Sequence, residues 1–126
     1  MAVELNHTIV HTHDKRAGAR FVAEVLGLPE PGTFGPFAVV ELQNGVSLDF
    51  MDVDGEITAQ HYAFLISEDE FDAVAGRLRE RGVATWADPG HRQPGHNTND
   101  GGRGLYFDSP EGHNLEVITR PYGSGS

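Results

Sequence analysis

The sequence contains no cysteine, which excludes disulfides, thiolate nucleophiles and thiolate metal sites, so any bound metal must be held by His, Asp and Glu. It has no apolar run of about 18 residues or more, which excludes a helical membrane span. Met1-Ala2-Val3-Glu4 also lacks the basic-then-apolar layout of a secretory signal. Both absences point to a soluble, cytoplasmic protein. Positive charge is scarce too: nine Lys and Arg stand against nineteen Asp and Glu, for a net charge of −10. The basic residues are scattered rather than gathered into a stripe, so neither nucleic acid nor an anionic membrane is an expected partner.

What is present suits one small folded unit. A length of 126 residues with 38% hydrophobic residues is enough for a core. The glycines and prolines concentrate in residues 31–36 and 89–104, which marks loops. Residues 123–126 read as a dispensable end.

The pattern along the chain repeats. Glu4 to Thr12 alternates as a strand, Asp14 can cap a helix, and Phe21, Val22, Val25 and Leu26 share one helical face before Gly27 stops it. Phe37 to Leu42 and Val46 to Met51 flank Gln43-Asn44-Gly45, a strong hairpin signal because Asn and Gly tolerate positive φ. The second half follows the same order. A strand over His61 to Ile66 leads to a capping box at Ser67 and Glu70, then to a helix burying Phe71, Val74, Ala75 and Leu78. Gly82 ends that helix. A short strand near Val83 to Trp86, a polar loop, and strands over Arg103 to Asp108 and Asn114 to Val117 complete the half. The expected fold is α+β: a single domain over 1–126 with two βαβββ modules, about 4–53 and 59–120, whose curved mixed sheets surround a metal-binding cavity.

In a duplicated fold, functional positions recur at equivalent places. His7 and His61 lie in the first strand of each module, and Asp49 and Glu116 in the last. Strand parity adds a constraint, because alternate side chains face opposite sides of a sheet. Tyr62, Phe64 and Ile66 form one apolar face, which turns His61 the other way. Leu115 and Val117 do the same for Glu116, and Leu48 and Phe50 for Asp49. All four candidates are therefore expected to face one cavity.

Four stretches carry a family likeness: Leu5-Asn6-His7, Val25-Leu26-Gly27-Leu28, His61-Tyr62-Ala63-Phe64, and the run from Gly104-Leu105-Tyr106-Phe107-Asp108 through Ser109-Pro110-Glu111-Gly112 to His113-Asn114-Leu115-Glu116. They resemble the glyoxalase, bleomycin-resistance and extradiol-dioxygenase superfamily, the vicinal-oxygen-chelate proteins. The resemblance implies that His7, His61 and Glu116 bind one divalent ion per site, whether Fe, Mn, Ni or Zn, with Asp49 in the place of the fourth ligand of glyoxalase-type members. Two imidazoles and a carboxylate leave coordination positions open for substrate oxygens. It also implies a homodimer with sites shared between subunits and a small-molecule substrate. Tyr106 occupies a place where related enzymes carry a substrate-contacting tyrosine; a packed aromatic is the alternative. His11 shares a strand face with His7 and Ile9, either as a proton-transfer group near neutral pH or as a surface histidine. His91 and His96 lie in the loop over 89–102, whose composition suits a lid, and His113 sits at a turn and reads as structural.

The leading expectation for the reaction is redox-neutral proton transfer of the isomerase or lyase type, in which a fourth carboxylate at Asp49 is welcome. The alternative is extradiol ring cleavage: His96, Thr98-Asn99-Asp100, Leu105-Tyr106, Pro110, Gly112 and Glu116 are similar to that signature, with His96 as acid-base group. Pro94, Ser109 and the His96-to-Leu105 gap depart from it. A likeness to fosfomycin-resistance thiol transferases rests on His61-Tyr62-Ala63-Phe64 and Tyr106 but has Ile9 where threonine is expected. A metal-free drug-binding protein of the bleomycin-resistance kind is the non-enzymatic alternative.

Overall fold

A computed structural model describes residues 2–125, which divide into two compact units at residues 57 and 58. The first unit begins with β1 (His7–Thr12) and α1 (Lys15–Leu26), followed by β2 (Gly32–Phe34), β3 (Phe37–Glu41) and β4 (Ser47–Asp52). The strands form one mixed sheet in the order β1-β4-β3-β2, with β1 parallel to β4 and the other pairs antiparallel. The parallel pair requires a crossover, which α1 supplies. Asp14 caps α1 through its side chain, which accepts from Ala17 N at 3.1 Å. Gly27 closes it in the left-handed region at φ 70°, where a side chain would be strained. Ala19, Val22, Ala23 and Val25 are buried with Val10, Ala38, Val40, Leu48 and Phe50 to make the core of this unit. Phe21 and Leu26 are only half buried. The helix turns its small residues inward and lies close to the strands.

The second unit contains β5 (His61–Leu65), α2 (Glu68–Glu80), a single 3-10 turn at Asn99–Gly101, β6 (Gly104–Asp108) and β7 (Asn114–Ile118). Its sheet has the order β5-β7-β6, again with one parallel pair and one antiparallel pair. The capping box forms as expected: Ser67 Oγ accepts from Glu70 N, and Glu70 Oε1 accepts from Ser67 N, both at 3.1 Å. Gly82, at φ 69°, ends the helix, with Val83 N donating to Leu78 O at 2.9 Å. Phe64, Phe71, Val74, Leu78, Leu105, Phe107, Leu115 and Val117 fill this core.

The α+β class and the two βαβββ modules stand, with three local differences. The first strand begins at His7 rather than Glu4. Gly32–Phe34, between two prolines, forms an edge strand where a loop was expected. The short strand near Val83 to Trp86 is reduced to isolated bridges at Trp86. Trp86 exchanges two hydrogen bonds with Tyr106, but Ala87 N donates to Gln93 O and Gly95 N to Thr85 O, so the flanking residues pair within their own loop. Pro94 has no N–H with which to extend that pairing. Among the described residues no helix is long and apolar enough to cross a membrane.

Candidate functional site

In the second unit, β7 is the central strand and sets the site. Pairing places His61 beside Asn114, Ala63 beside Glu116, and Tyr106 across from Glu116. These residues share the face opposite the one that carries Phe64, Val117 and Leu105. Glu116 is nonetheless only 1% exposed. A carboxylate buried to that degree needs partners, and it has two. Its Oε1 lies 3.1 Å from His61 Nε2, and its Oε2 accepts a hydrogen bond from the Tyr122 hydroxyl. Tyr122 OH also lies 3.0 Å from Tyr106 OH. Since the Tyr122 proton is committed to Glu116, Tyr106 must donate to Tyr122, giving a chain from Tyr106 through Tyr122 to the carboxylate. Burial raises both phenols above their ordinary range, and the neighbouring Glu116 charge adds to it, so both remain donors at neutral pH.

The His61 ring is fixed on its other side as well. Nδ1 lies 2.9 Å from the Asn114 carbonyl oxygen, which can only accept, so Nδ1 carries the proton and donates. In the neutral ring, Nε2 then holds a lone pair aimed at a carboxylate oxygen at 3.1 Å. Two acceptors at that distance repel unless a proton or a cation lies at them. This donor set, an imidazole Nε2 oriented by a backbone carbonyl beside a buried carboxylate, fits a divalent ion. The His61 ring also stacks on Tyr106, with centroids 5.9 Å apart.

In the first unit, His7, Ile9 and His11 project from one face of β1, and the register places Ser47, Asp49 and Met51 beside them on β4. His7 is exposed, and its Nδ1 donates to the Asn6 side-chain oxygen at 2.7 Å, which leaves Nε2 as the acceptor. Asp49 is 9% exposed and accepts from Ser47 Oγ at 2.9 Å. A cavity of about 490 Å3 opens on this face, lined by Phe34, Val39, Glu41 and Asp49 among others.

The structure thus brings together His61, Glu116 and Tyr106 in one unit, and His7, His11 and Asp49 on one sheet face in the other. Among the described residues it gathers no group of three His, Cys, Asp or Glu able to hold a metal within one copy of the chain. His96 lies elsewhere than expected. Its ring meets the edge of Phe71 on α2 at 5.8 Å, in a cavity of about 450 Å3 that also includes Arg79 and Leu105. Leu105 faces away from Tyr106, so His96 stands on the helix side of the sheet and not beside Glu116. His113 is buried, with Nδ1 accepting from Gln60 N at 3.0 Å, in keeping with a structural role.

Three participants were not singled out from the sequence. Tyr122 lies beyond the last strand, where no periodicity indicates direction. Asn114 sits two residues before Glu116, so parity places it on the same face; its side-chain oxygen also accepts from His91 Nε2 at 3.2 Å. Trp86 stacks flat on His91, with centroids 5.3 Å apart and planes within 3°. Only the Asn114 position had a signal in the alternation.

The family model for the Glyoxalase/Bleomycin resistance protein/Dioxygenase superfamily matches residues 4–117, and the chain belongs to that superfamily. Among solved structures, the chain is similar to Oxidase ChaP-H2, with 63% identity, a TM-score of 0.97 and 100% of each chain covered. Oxidase ChaP-H1 is also 63% identical, with a TM-score of 0.95 over 97% of this chain and 99% of that one. The glutathione transferase FosA of Serratia marcescens is 28% identical over 123 residues, spanning 93% of this chain and 81% of that protein.

Proposed function

We propose that the protein is a metal-dependent oxidase of a small molecule bearing vicinal oxygens, with His7, His61 and Glu116 holding one divalent ion. The observation that supports the metal reading is His61 Nε2, oriented by the Asn114 carbonyl, standing 3.1 Å from the buried Glu116 Oε1, a pair that needs either a proton on Nε2 or a cation beside it. Because the described residues of one copy gather no group of three such ligands, we assign His7 to the partner copy in a homodimer with shared sites. A divalent ion held there supplies Lewis acidity toward two adjacent substrate oxygens and the negative charge that develops on them. The chain's own groups do the rest: the Tyr106 ring walls the site beside His61, and Asp49 and His11, on the face that carries His7, are the groups assigned to take or return substrate protons.

Oxidation is favoured over redox-neutral proton transfer by 63% identity, over the full length, with a protein named as an oxidase. Proton transfer is the second reading, and Asp49 is the observation that favours it: a buried carboxylate two positions along β4 from the partner of His7 suits a fourth ligand. Anaerobic reconstitution with Fe(II), Mn(II), Ni(II) or Zn(II), followed by oxygen-uptake assays on catechols and turnover assays on hemithioacetals, separates the two. Metal-dependent oxygen consumption supports the oxidase. Hemithioacetal turnover without oxygen uptake supports proton transfer instead, and no metal binding at all supports the metal-free binding protein.

A further inference from the structure

We infer that Tyr122 is a positioning residue for the metal centre: its hydroxyl holds Glu116 Oε2 so that the carboxylate presents Oε1 alone beside His61 Nε2. The inference rests on the reading of Glu116 as a metal ligand and adds a residue outside the superfamily match, which ends at residue 117. Glu116 has two oxygens in different settings. Oε1 faces the imidazole, and Oε2 accepts from Tyr122 OH, which is itself fixed by the proton it receives from Tyr106 OH at 3.0 Å. A buried carboxylate with one oxygen committed to a hydroxyl donor is held in one rotation and is disposed to bind through the other oxygen only.

The segment that carries Tyr122 is seated for this purpose. Arg120 Nη2 donates to Ser124 O at 3.0 Å, Ser124 N to Pro121 O at 3.1 Å, and Gly125 N to Asp100 Oδ1 at 3.3 Å. A Cβ at Gly125 would collide with the Asp100 backbone, so this close approach requires glycine. Residues 121–125 are therefore held by hydrogen bonds within the segment and to Asp100, and from it the Tyr122 hydroxyl reaches Glu116. Tyr122 stays 59% exposed while its hydroxyl reaches a carboxylate that is 1% exposed. The ring thus contributes little to the core, and its polar tip makes the contact that matters.

The test uses Tyr122→Phe and Tyr106→Phe in the full chain, with Co(II) as the probe. Co(II) affinity is measured by competition with a chelator, and coordination number is read from the intensity of the visible d–d bands. Tyr122→Phe is expected to weaken Co(II) binding by about 10-fold or more, the scale of outer-shell changes. It is also expected to lower the band intensity, as the freed carboxylate binds through both oxygens. Tyr106→Phe, which leaves the Tyr122 to Glu116 bond in place, should fall between the wild type and Tyr122→Phe. Unchanged affinity and spectrum in Tyr122→Phe would overturn the inference while leaving the metal site standing. A tyrosinate-to-metal charge-transfer band in the Fe(III)-loaded wild type that is lost in Tyr122→Phe would overturn it differently, by making Tyr122 a ligand. Failure of the wild type to bind Co(II) would instead remove the proposed function on which the inference rests.

Discussion

Glu116 is the residue on which the site turns, because a carboxylate this deeply buried is stable only when charge or hydrogen bonds compensate its lost hydration. Glu116→Gln keeps the size but removes the charge, and is expected to weaken metal binding by more than the roughly 10–100-fold that outer-shell changes cost. Elemental analysis after dialysis reads that loss. Asp88 offers a test at acid pH. Its carboxylate accepts from Arg92 N and Gln93 N, both at 2.8 Å, and these backbone donors, Gln93 foremost, hold its pKa below the ordinary aspartate range. A lowered folded-state value means that the stabilisation is present above the unfolded value, about 3.9, and is lost as pH falls through the folded one. Asp88→Asn should therefore lower Tm at neutral pH and flatten the acid limb of the Tm profile below about pH 4. At this scale the sequence was legible wherever the pleat dictates direction: parity turns His61 and Glu116 away from the apolar faces of their strands, and they share one face, which Tyr106 joins. It was not legible for His96 or Tyr122, whose loops take their course from tertiary bonds such as Asn97 to Ala87 O and Gly125 to Asp100.

At the scale of elements, local chemistry was most readable where one residue satisfies backbone groups close to it in the chain. Asp14, Ser67 with Glu70, and the glycines at 27, 45 and 82 all act at the ends where they were expected to act. Ser67→Ala removes one half of the capping box and should cost about 1 kcal/mol in urea unfolding. The change should appear as a lower midpoint with an unchanged slope. In contrast, Phe107→Ala, at 1% exposure in the core of the second unit, should cost about 3–5 kcal/mol. The strands that were misjudged are short edge pieces. Gly32–Phe34 pairs antiparallel with β3 despite its flanking prolines, because an edge strand needs only one of its sides bonded. Trp86 forms one rung with Tyr106 and no ladder, because its neighbours bond to residues 93–95.

For the whole molecule, the account requires two copies of the chain to complete each metal site. Val3, Leu5 and Ile9 are exposed along and before β1, as are Phe34 in the first unit and Leu65 in the second, and these apolar side chains are available to a second copy. Sedimentation should give a dimer. Unfolding and refolding a mixture of His7→Ala and Glu116→Gln chains tests the sharing itself. In a heterodimer, the His7 of one copy meets the intact His61 and Glu116 of the other, so about a quarter of the wild-type metal content should return for random pairing. Sites contained within single chains would recover none. The most direct measurement of the central claim is the metal content of wild-type protein loaded anaerobically with Fe(II) and freed of excess ion, beside His61→Ala and Glu116→Gln. The account predicts one ion per chain in the wild type and none retained in either variant; a wild type that retains no ion, or variants that retain it equally, would contradict it.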